Sequence, residues 1–346
     1  MQAEIQQLKN LFSQKKKVLI TTHMKPDADA LGSSLAWMRY LRKRGHEATV
    51  VTPTDYPSFL YWMEGHEEVV VYTEDTDVEI AQRVAEADVV CCLDFNSLKR
   101  IGRMGEMVAE CKATKVLIDH HLEPEAFAEI SISDTHAAAT AVLIYDIIVG
   151  LGDKSFLDTY IGECLYAGIM TDTGAFRHPN TDRRVHLIVA DIMLLNVNTS
   201  RIHRLVYDTS TEERLRFLGY SLSEKLYVLR DLYTAFIVIS ADDLHRFRSQ
   251  NGDTEGLVNY ALSMEGIVLA CMIIEREDGV KLSFRSKGEF SVNEFARKYF
   301  HGGGHMNAAG GRSDLSLKDT VKLFVDVIAE YRDQLLETYR KEKFLC

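Results

Sequence analysis

The chain has 346 residues, 46% of them hydrophobic and 26% charged, with a formal net charge of −11. That is enough material for two domains with separate cores, and no apolar run approaches the length of a bilayer crossing, which argues against a membrane-spanning protein. The charge imbalance sits in residues 1–212, with 21 Lys and Arg against 31 Asp and Glu; residues 213–346 hold 19 against 20, so there is no basic stripe of the kind a duplex binder needs.

The opening stretch, MQAEIQQLKNLFSQKKK, has helical spacing through Ile5, Leu8, Leu11 and Phe12, not the cationic-then-apolar order of a signal peptide. KVLITTH (17–23) then reads as a buried strand, followed by the helical ALGSSLAWMRYLRKRG, in which Gly45 suits a C-terminal cap. Further short strands are expected at 48–53, 88–94, 115–121 and 129–134, separated by helical segments. Cys91 and Cys92 lie within one of these runs, and none of the six cysteines forms a CxxC pair. Free thiols and a cytoplasmic location are the expectation. Two helical stretches follow, THAAATAVLIYDIIVGLG and SFLDTYIGECLYAGIM.

This alternation predicts an α/β domain over residues 1–192, a largely parallel sheet with helices on both faces. The pattern loosens over 193–212, which reads as a linker. Residues 213–346 predict a smaller α/β domain with antiparallel strands, a hairpin turning near Asp278-Gly279 and a closing amphipathic helix from about Leu317 to Tyr339. A cleft between the two domains is the expected active site.

Ligands of open parallel sheets bind beyond the carboxyl ends of the strands. This sequence places His23, Asp27 and Asp29 after the first strand, Asp94 after another, and Asp119, His120 and His121 after a third, while Asp172 sits in the Thr/Gly loop TDTG. Singly, each has an ordinary explanation: Asp27 as a turn residue, Asp29 as a helix N-cap, Asp94 as a loop cap. Together, so many acids and imidazoles at one edge repel unless cations sit among them. Mixed imidazole and carboxylate ligands without thiolate suit Mn²⁺, Fe²⁺ or Co²⁺ better than structural Zn²⁺, and argue mildly against Mg²⁺. There are enough ligands for two ions sharing one carboxylate, the arrangement of a two-metal hydrolytic site.

In order, HMKPDADALGS, LDF, IDHH and TDTG resemble the motifs of the DHH phosphoesterases, and FHGGGHMNAAGG resembles the glycine-rich signature of their DHHA1 domain. The resemblance runs from about residue 17 to residue 312 and is nearest to the subgroup that acts on short oligonucleotides (nanoRNA) and on 3′-phosphoadenosine 5′-phosphate (pAp). It implies two divalent ions, most simply Mn²⁺, with His23 and Asp27 on one, Asp29, His120 and Asp172 on the other, and Asp94 bridging. It further implies that His121 reaches the scissile phosphate, with Asp119 orienting the two histidines. In the second domain it implies substrate contacts from Arg285, Ser286, Gly303, Gly304 and His305. The products would be nucleoside monophosphates, long duplexes would not be substrates, and a homodimer is compatible with the family. Lys25 stands where the family commonly has Asn. Lys25, Arg100, Arg103, Arg177 and His178 are further candidates for the substrate's surroundings.

Two alternatives stand beside this reading. One keeps the chemistry and changes the substrate to linear dinucleotides from cyclic dinucleotide turnover. The other is a non-catalytic nucleotide-binding protein, which loss of a ligand would favour; all six expected ligands are present.

Overall fold

Short runs of alternately facing apolar residues build the first sheet. The computed structural model describes residues 2–249 and 252–344, and the chain divides into two compact units, Met1–Thr209 and Ser210–Cys346. In the first unit the strands are β1 (Lys17–Thr21), β2 (Glu47–Thr52), β3 (Val70–Val71), β4 (Val89–Leu93), β5 (Thr114–Asp119) and β6 (Ile130–Ser133). They lie in the order β3-β2-β1-β4-β5-β6 and every pairing is parallel. The two-residue β3 has no counterpart among the expected strands, because two residues carry no periodicity.

Helices of this unit are α1 (Gln2–Leu11), α2 (Ala28–Lys43), α3 (Asp77–Glu86), α4 (Arg103–Glu110), α5 (Thr140–Gly150), α6 (Thr159–Asp172), α7 (Arg183–Met193) and α8 (Thr199–Tyr207). Period-two alternation sorts the strands onto two faces. Ile20, Val50, Cys91 and Ile118 face a core shared with α1, α2, α5 and α6, whereas Leu19, Val51, Cys92 and Leu117 face Ile80 and Val84 of α3 and Met104 and Val108 of α4. Both faces are therefore covered, and the adjacent cysteines 91 and 92 point to opposite sides as buried free thiols. Cys346 lies outside the described residues.

Helix α2 ends as its sequence suggests. Gly45 adopts φ +87°, the His46 amide donates to the Leu41 carbonyl and the Gly45 amide to that of Arg42, a Schellman closure. Against α6, α2 packs closely enough that a Cβ on Gly32 would lie 2.5 Å from the Cys164 carbonyl oxygen. The stretch read as a linker is partly helix. Asn198 caps α8 by accepting from the Arg201 amide, and Ile202 and Val206 enter the first core. Ile202 and Val206, four residues apart, are the buried side chains of this helix.

The second unit contains β7 (Leu226–Leu229), β8 (Thr234–Ile239), β9 (Leu269–Arg276), β10 (Gly279–Ser286), β11 (Gly303–His305) and β12 (Ala308–Ser313), in the order β11-β12-β10-β9-β8-β7. Its helices are α9 (Glu212–Glu224), α10 (Ala241–Arg246), α11 (Leu257–Leu262), α12 (Val292–Tyr299), α13 (Leu317–Ala329) and α14 (Arg332–Phe344). One face packs Cys271, Ile273 and Phe284 against Phe295 and Phe324; the other packs Ile237, Ala270 and Met272 against Phe217 and Val258. Two expectations are corrected here. The sheet is mixed, since β8 and β9 pair in parallel through the intervening α10 and α11. The single closing helix is two, α13 and α14, broken at Glu330 and Tyr331.

Replacing Gly32 with Ala drives a methyl group into the α6 backbone. We expect a loss of about 1–3 kcal/mol, read as a lower urea midpoint by fluorescence of Trp37 and Trp62, which both lie in the first unit. An unchanged midpoint would contradict this helix contact.

Candidate active site

Because the first sheet is parallel, the chain leaves β1, β4 and β5 at one edge, and the polar residues that follow these strands meet there. His23 follows β1. Its Nδ1 lies 2.9 Å from the Met24 carbonyl oxygen, to which it donates, so Nε2 is directed at carboxylates: Asp94 Oδ2 at 3.4 Å and Asp27 Oδ2 at 3.9 Å. A backbone acceptor on the far nitrogen fixes the tautomer of a ligating imidazole in just this way.

Asp27 has two duties. Its Oδ1 caps α2, accepting from the amides of Asp29 and Ala30 at 3.0 Å each, while Oδ2 faces His23. The cap is therefore Asp27 and not Asp29. Asp29 is fully buried and accepts from the Thr140 amide at 2.6 Å, the Ala141 amide at 2.9 Å and the Ser33 hydroxyl at 3.1 Å. Gly168 of α6 makes room for it: a Cβ there would lie 2.6 Å from Asp29 Oδ1.

Asp94, one residue beyond β4, continues the strand ladder by donating its amide to the Ile118 carbonyl, yet holds φ at +65°, in the left-handed region. That conformation costs most residues about 1–2 kcal/mol and Asp less. It turns the carboxylate so that Oδ2 faces His23 at 3.4 Å and Oδ1 faces Nε2 of His120 at 3.4 Å. His120, buried beyond β5, has Nδ1 3.1 Å from the Ala137 carbonyl, and its Nε2 also approaches Asp172 Oδ2 at 3.3 Å and Asp29 Oδ2 at 4.0 Å. The six expected ligands thus form two sets, His23–Asp27–Asp94 and Asp29–His120–Asp172, the donor atoms within each lying within 4.8 Å of one another. Asp94 touches both.

Asp119 does not orient both histidines, as had been expected. It accepts from Nδ1 of His121 at 2.7 Å, whereas His120 is held by the Ala137 carbonyl. Adjacent residues leave the strand on opposite sides, so each ring finds a different anchor. Thr140, at the start of α5, is the residue that sequence reasoning missed: its hydroxyl donates to Asp94 Oδ1 at 2.9 Å. A Thr opening a helix after an Ala-rich turn carries no distinctive sequence signal.

Protonation shows what this cluster wants. Burial first, and the Asp94 charge second, push the Asp29 carboxyl up to about 7. Burial and the neighbouring Asp29 push Asp172 well above the usual range. Burial alone would lower His23, but the Asp94 hydrogen bond and the charges of Asp27 and Asp94 raise it to about 9. Burial would likewise raise Asp94, yet hydrogen bonds from His120 and His23 hold it well below an ordinary carboxylate. The cluster attracts positive charge, and its nitrogen and oxygen donors, free of thiolate, fit divalent cations.

Flanking residues divide. Lys25 is exposed, holds φ at +57° and donates its amide to the Thr54 hydroxyl at 2.6 Å; Asn tolerates such a φ better than Lys. Arg103 pairs with Glu106. Arg177 donates to the Gly174 carbonyl at 2.8 Å, and His178 Nδ1 lies 3.2 Å from the Asp172 carbonyl, so both brace the loop that follows Asp172, which is the last residue of α6 and not a loop residue as expected. In that loop Gly174, Ala175 and Phe176 all have positive φ, 56°, 57° and 66°.

Residues 17–169 match the DHH family, N-terminal domain, and residues 234–332 match the DHHA1 domain. A bifunctional oligoribonuclease and PAP phosphatase NrnA from Thermus thermophilus is 31% identical over 320 residues, spanning 92% of this chain and 90% of its own. The chain belongs to the DHH family. The crystal structure of an exopolyphosphatase-related protein from Bacteroides fragilis is 37% identical with a TM-score of 0.92, covering 97% of this chain and 98% of that one. RecJ in complex with Mn²⁺ from Thermus thermophilus shares the fold at 13% identity, with a TM-score of 0.53 over 96% of this chain and 54% of its own. DHH proteins are metal-dependent hydrolases, and each of the two sets could hold a metal ion.

In the DHHA1 unit, the residues expected to touch substrate separate by role. The Ser286 hydroxyl donates to the Phe290 carbonyl at 2.6 Å and accepts from Asn307 at 2.9 Å, so it ties the strand end to the loops around it. The Gly304 amide donates to Asn293 Oδ1 at 2.9 Å and is therefore committed internally, not offered to an anion. Glycine is required here for fit: Gly304 has φ +153°, and a Cβ would lie 2.5 Å from the Ala308 carbonyl oxygen. Gly303 pairs with Gly310 across β11 and β12, and His305 ends β11 opposite Ala308. Arg285 is half-buried near the end of β10 and donates to the Phe284 carbonyl at 3.0 Å.

With His23 near 9 and Asp29 near 7, the cation-free DHH site carries protons at neutral pH that bound cations displace. Affinity for a divalent cation should therefore weaken as pH falls, and binding at pH 7 should release protons, with the His23 and Asp29 share of that release shrinking as pH rises through about 9. Calorimetric titrations in buffers of different ionisation heat check this; identical heats at pH 7 would contradict it.

Proposed function

We propose that this protein hydrolyses phosphoester bonds in short single-stranded oligonucleotides and in pAp, yielding nucleoside monophosphates. The observation that carries this reading is Asp94, whose two carboxylate oxygens each face a histidine of a different ligand set. We assign one ion to His23, Asp27 and Asp94 and a second to Asp29, Asp94, His120 and Asp172, with Mn²⁺ as the ion suited to mixed imidazole and carboxylate donors. The Mn²⁺ complex of the RecJ neighbour supports that choice, and the activity named for the Thermus thermophilus relative supports the substrate class.

Divalent cations held by these residues would supply Lewis-acid charge to the phosphoryl oxygens and would acidify the attacking water. The protein's own groups do the rest. Asp27 and Asp29 hold fixed positions because helix termini bind them. Asp119 anchors Nδ1 of His121, leaving Nε2 as the atom we assign to the surroundings of the scissile phosphate. On the DHHA1 unit we assign recognition of a further substrate phosphate to the side chains of Arg285 and His305. Gly303, Gly304 and Ser286 serve by shaping the backbone that carries them.

Turnover with Mn²⁺ should be measured on pAp and on a 5′-labelled RNA ladder of two to twenty-four nucleotides. We expect rapid loss of pAp and of the shortest species, with mononucleotides accumulating. Equal cleavage of all lengths would contradict the short-substrate reading, and no turnover of either substrate would sink it. His121→Ala should retain wild-type metal content while kcat falls by about 10²–10⁴. Loss of metal in that variant would instead make His121 a ligand.

A further inference from the structure

We infer that Thr140 is a positioning residue that couples the two ligand sets, acting through the orientation of Asp94. This rests on the two-ion reading and goes beyond it by naming what holds the shared carboxylate in place. Helix α5 starts without a side-chain cap from its own N-cap residue, Ala139. Its first amides are capped instead from another helix: Asp29 Oδ2 accepts from the Thr140 amide and Asp29 Oδ1 from that of Ala141. The positive end of α5 therefore grips one member of the second set through a bidentate, charge-assisted contact.

The Thr140 side chain carries the coupling. Fully buried, it donates its hydroxyl to Asp94 Oδ1, the oxygen that faces His120, while Asp94 Oδ2 faces His23. Rotation of the Asp94 carboxyl about its own axis would exchange or misplace the two oxygens, and Thr140 is a hydroxyl donor bound to only one of them. One residue thus fixes Asp29 by its main chain and Asp94 by its side chain. The spacing between the two sets is tied to a single helix start, and loosening the Asp94 contact should be felt most by the Asp29–His120–Asp172 set. A β-branched Thr suits the task because its χ1 is stiff and the hydroxyl direction is held.

The substitution that isolates the side chain is Thr140→Val. It keeps the amide that binds Asp29 and nearly the same volume, and it deletes the hydroxyl. Thr140→Ser restores a hydroxyl. Asp94→Asn serves as the control for the underlying reading. For each full-length variant, Mn²⁺ binding is titrated calorimetrically, the Co²⁺ form is examined by its visible absorption, and folding is followed by tryptophan fluorescence.

The expected result is that Thr140→Val stays folded and loses affinity at one class of site by about 10–100-fold, the usual cost of removing a group that orients a metal ligand. Its Co²⁺ spectrum changes, and Thr140→Ser restores both properties. Wild-type isotherms and spectrum in Thr140→Val, with binding impaired in Asp94→Asn, would overturn the role of Thr140 and leave the two-ion reading standing. Failure of Thr140→Ser to rescue would also overturn it, reducing Thr140 to packing. Unimpaired binding in Asp94→Asn would overturn the two-ion reading, and this inference with it.

Discussion

Everything at the sheet edge depends on one electrostatic problem: three buried or half-buried carboxylates, Asp29, Asp94 and Asp172, crowd around a single imidazole. Two like charges about 4 Å apart at an effective dielectric near 20 repel by roughly 4 kcal/mol, so the ionised cluster cannot rest on sterics. The fold answers from several directions. A helix start binds both oxygens of Asp29, a hydroxyl binds Asp94, and two histidines present their Nε2 atoms because carbonyls hold their Nδ1 atoms. What these contacts leave uncompensated is a demand for cations, and that demand connects the geometry to hydrolysis.

The scaffold is rigid where the chemistry needs it. Asp94 and His120 leave neighbouring strands paired in register, Leu93 opposite Ile118, and Asp94 extends that ladder by its own amide. Glycine does comparable work between helices: Gly32 lets α2 approach α6, and Gly168 of α6 leaves space for Asp29. The loop after Asp172 is different. Three successive residues with positive φ place it under strain, relieved by hydrogen bonds from the Ala175 amide to Met170 and from the Phe176 amide to the Thr173 hydroxyl.

Much of this was legible in the sequence because it obeys short-range rules. Apolar runs ending in Asp or His marked β1, β4 and β5 and, through the geometry of parallel sheets, the shared edge. Gly45 marked the end of α2. What escaped was set by tertiary contact. Asp27 reads as a turn residue and Asp29 as the helix cap, and only tertiary contact shows that Asp27 caps α2 while Asp29 serves a different helix. Thr140 has no motif of its own. By resemblance the glycine-rich run implies substrate contacts, yet Gly304 is there because β12 lies too close for a side chain, and Asn293 claims its amide. Helix α8 hides in polar sequence because two buried side chains suffice to dock it.

The capping of α5 by an aspartate from α2 has a consequence for how the chain is made. The first turn of α5 lacks a local cap, so it gains its partner only when two segments far apart in sequence come together. Asp172 lies later still, at the end of α6. During synthesis His23, Asp27 and Asp94 leave the ribosome before Thr140 and Asp172, so the set Asp29–His120–Asp172 is the later of the two to be completed. The cap of α5 and the second donor set therefore form together, when α2, α5 and α6 come into contact.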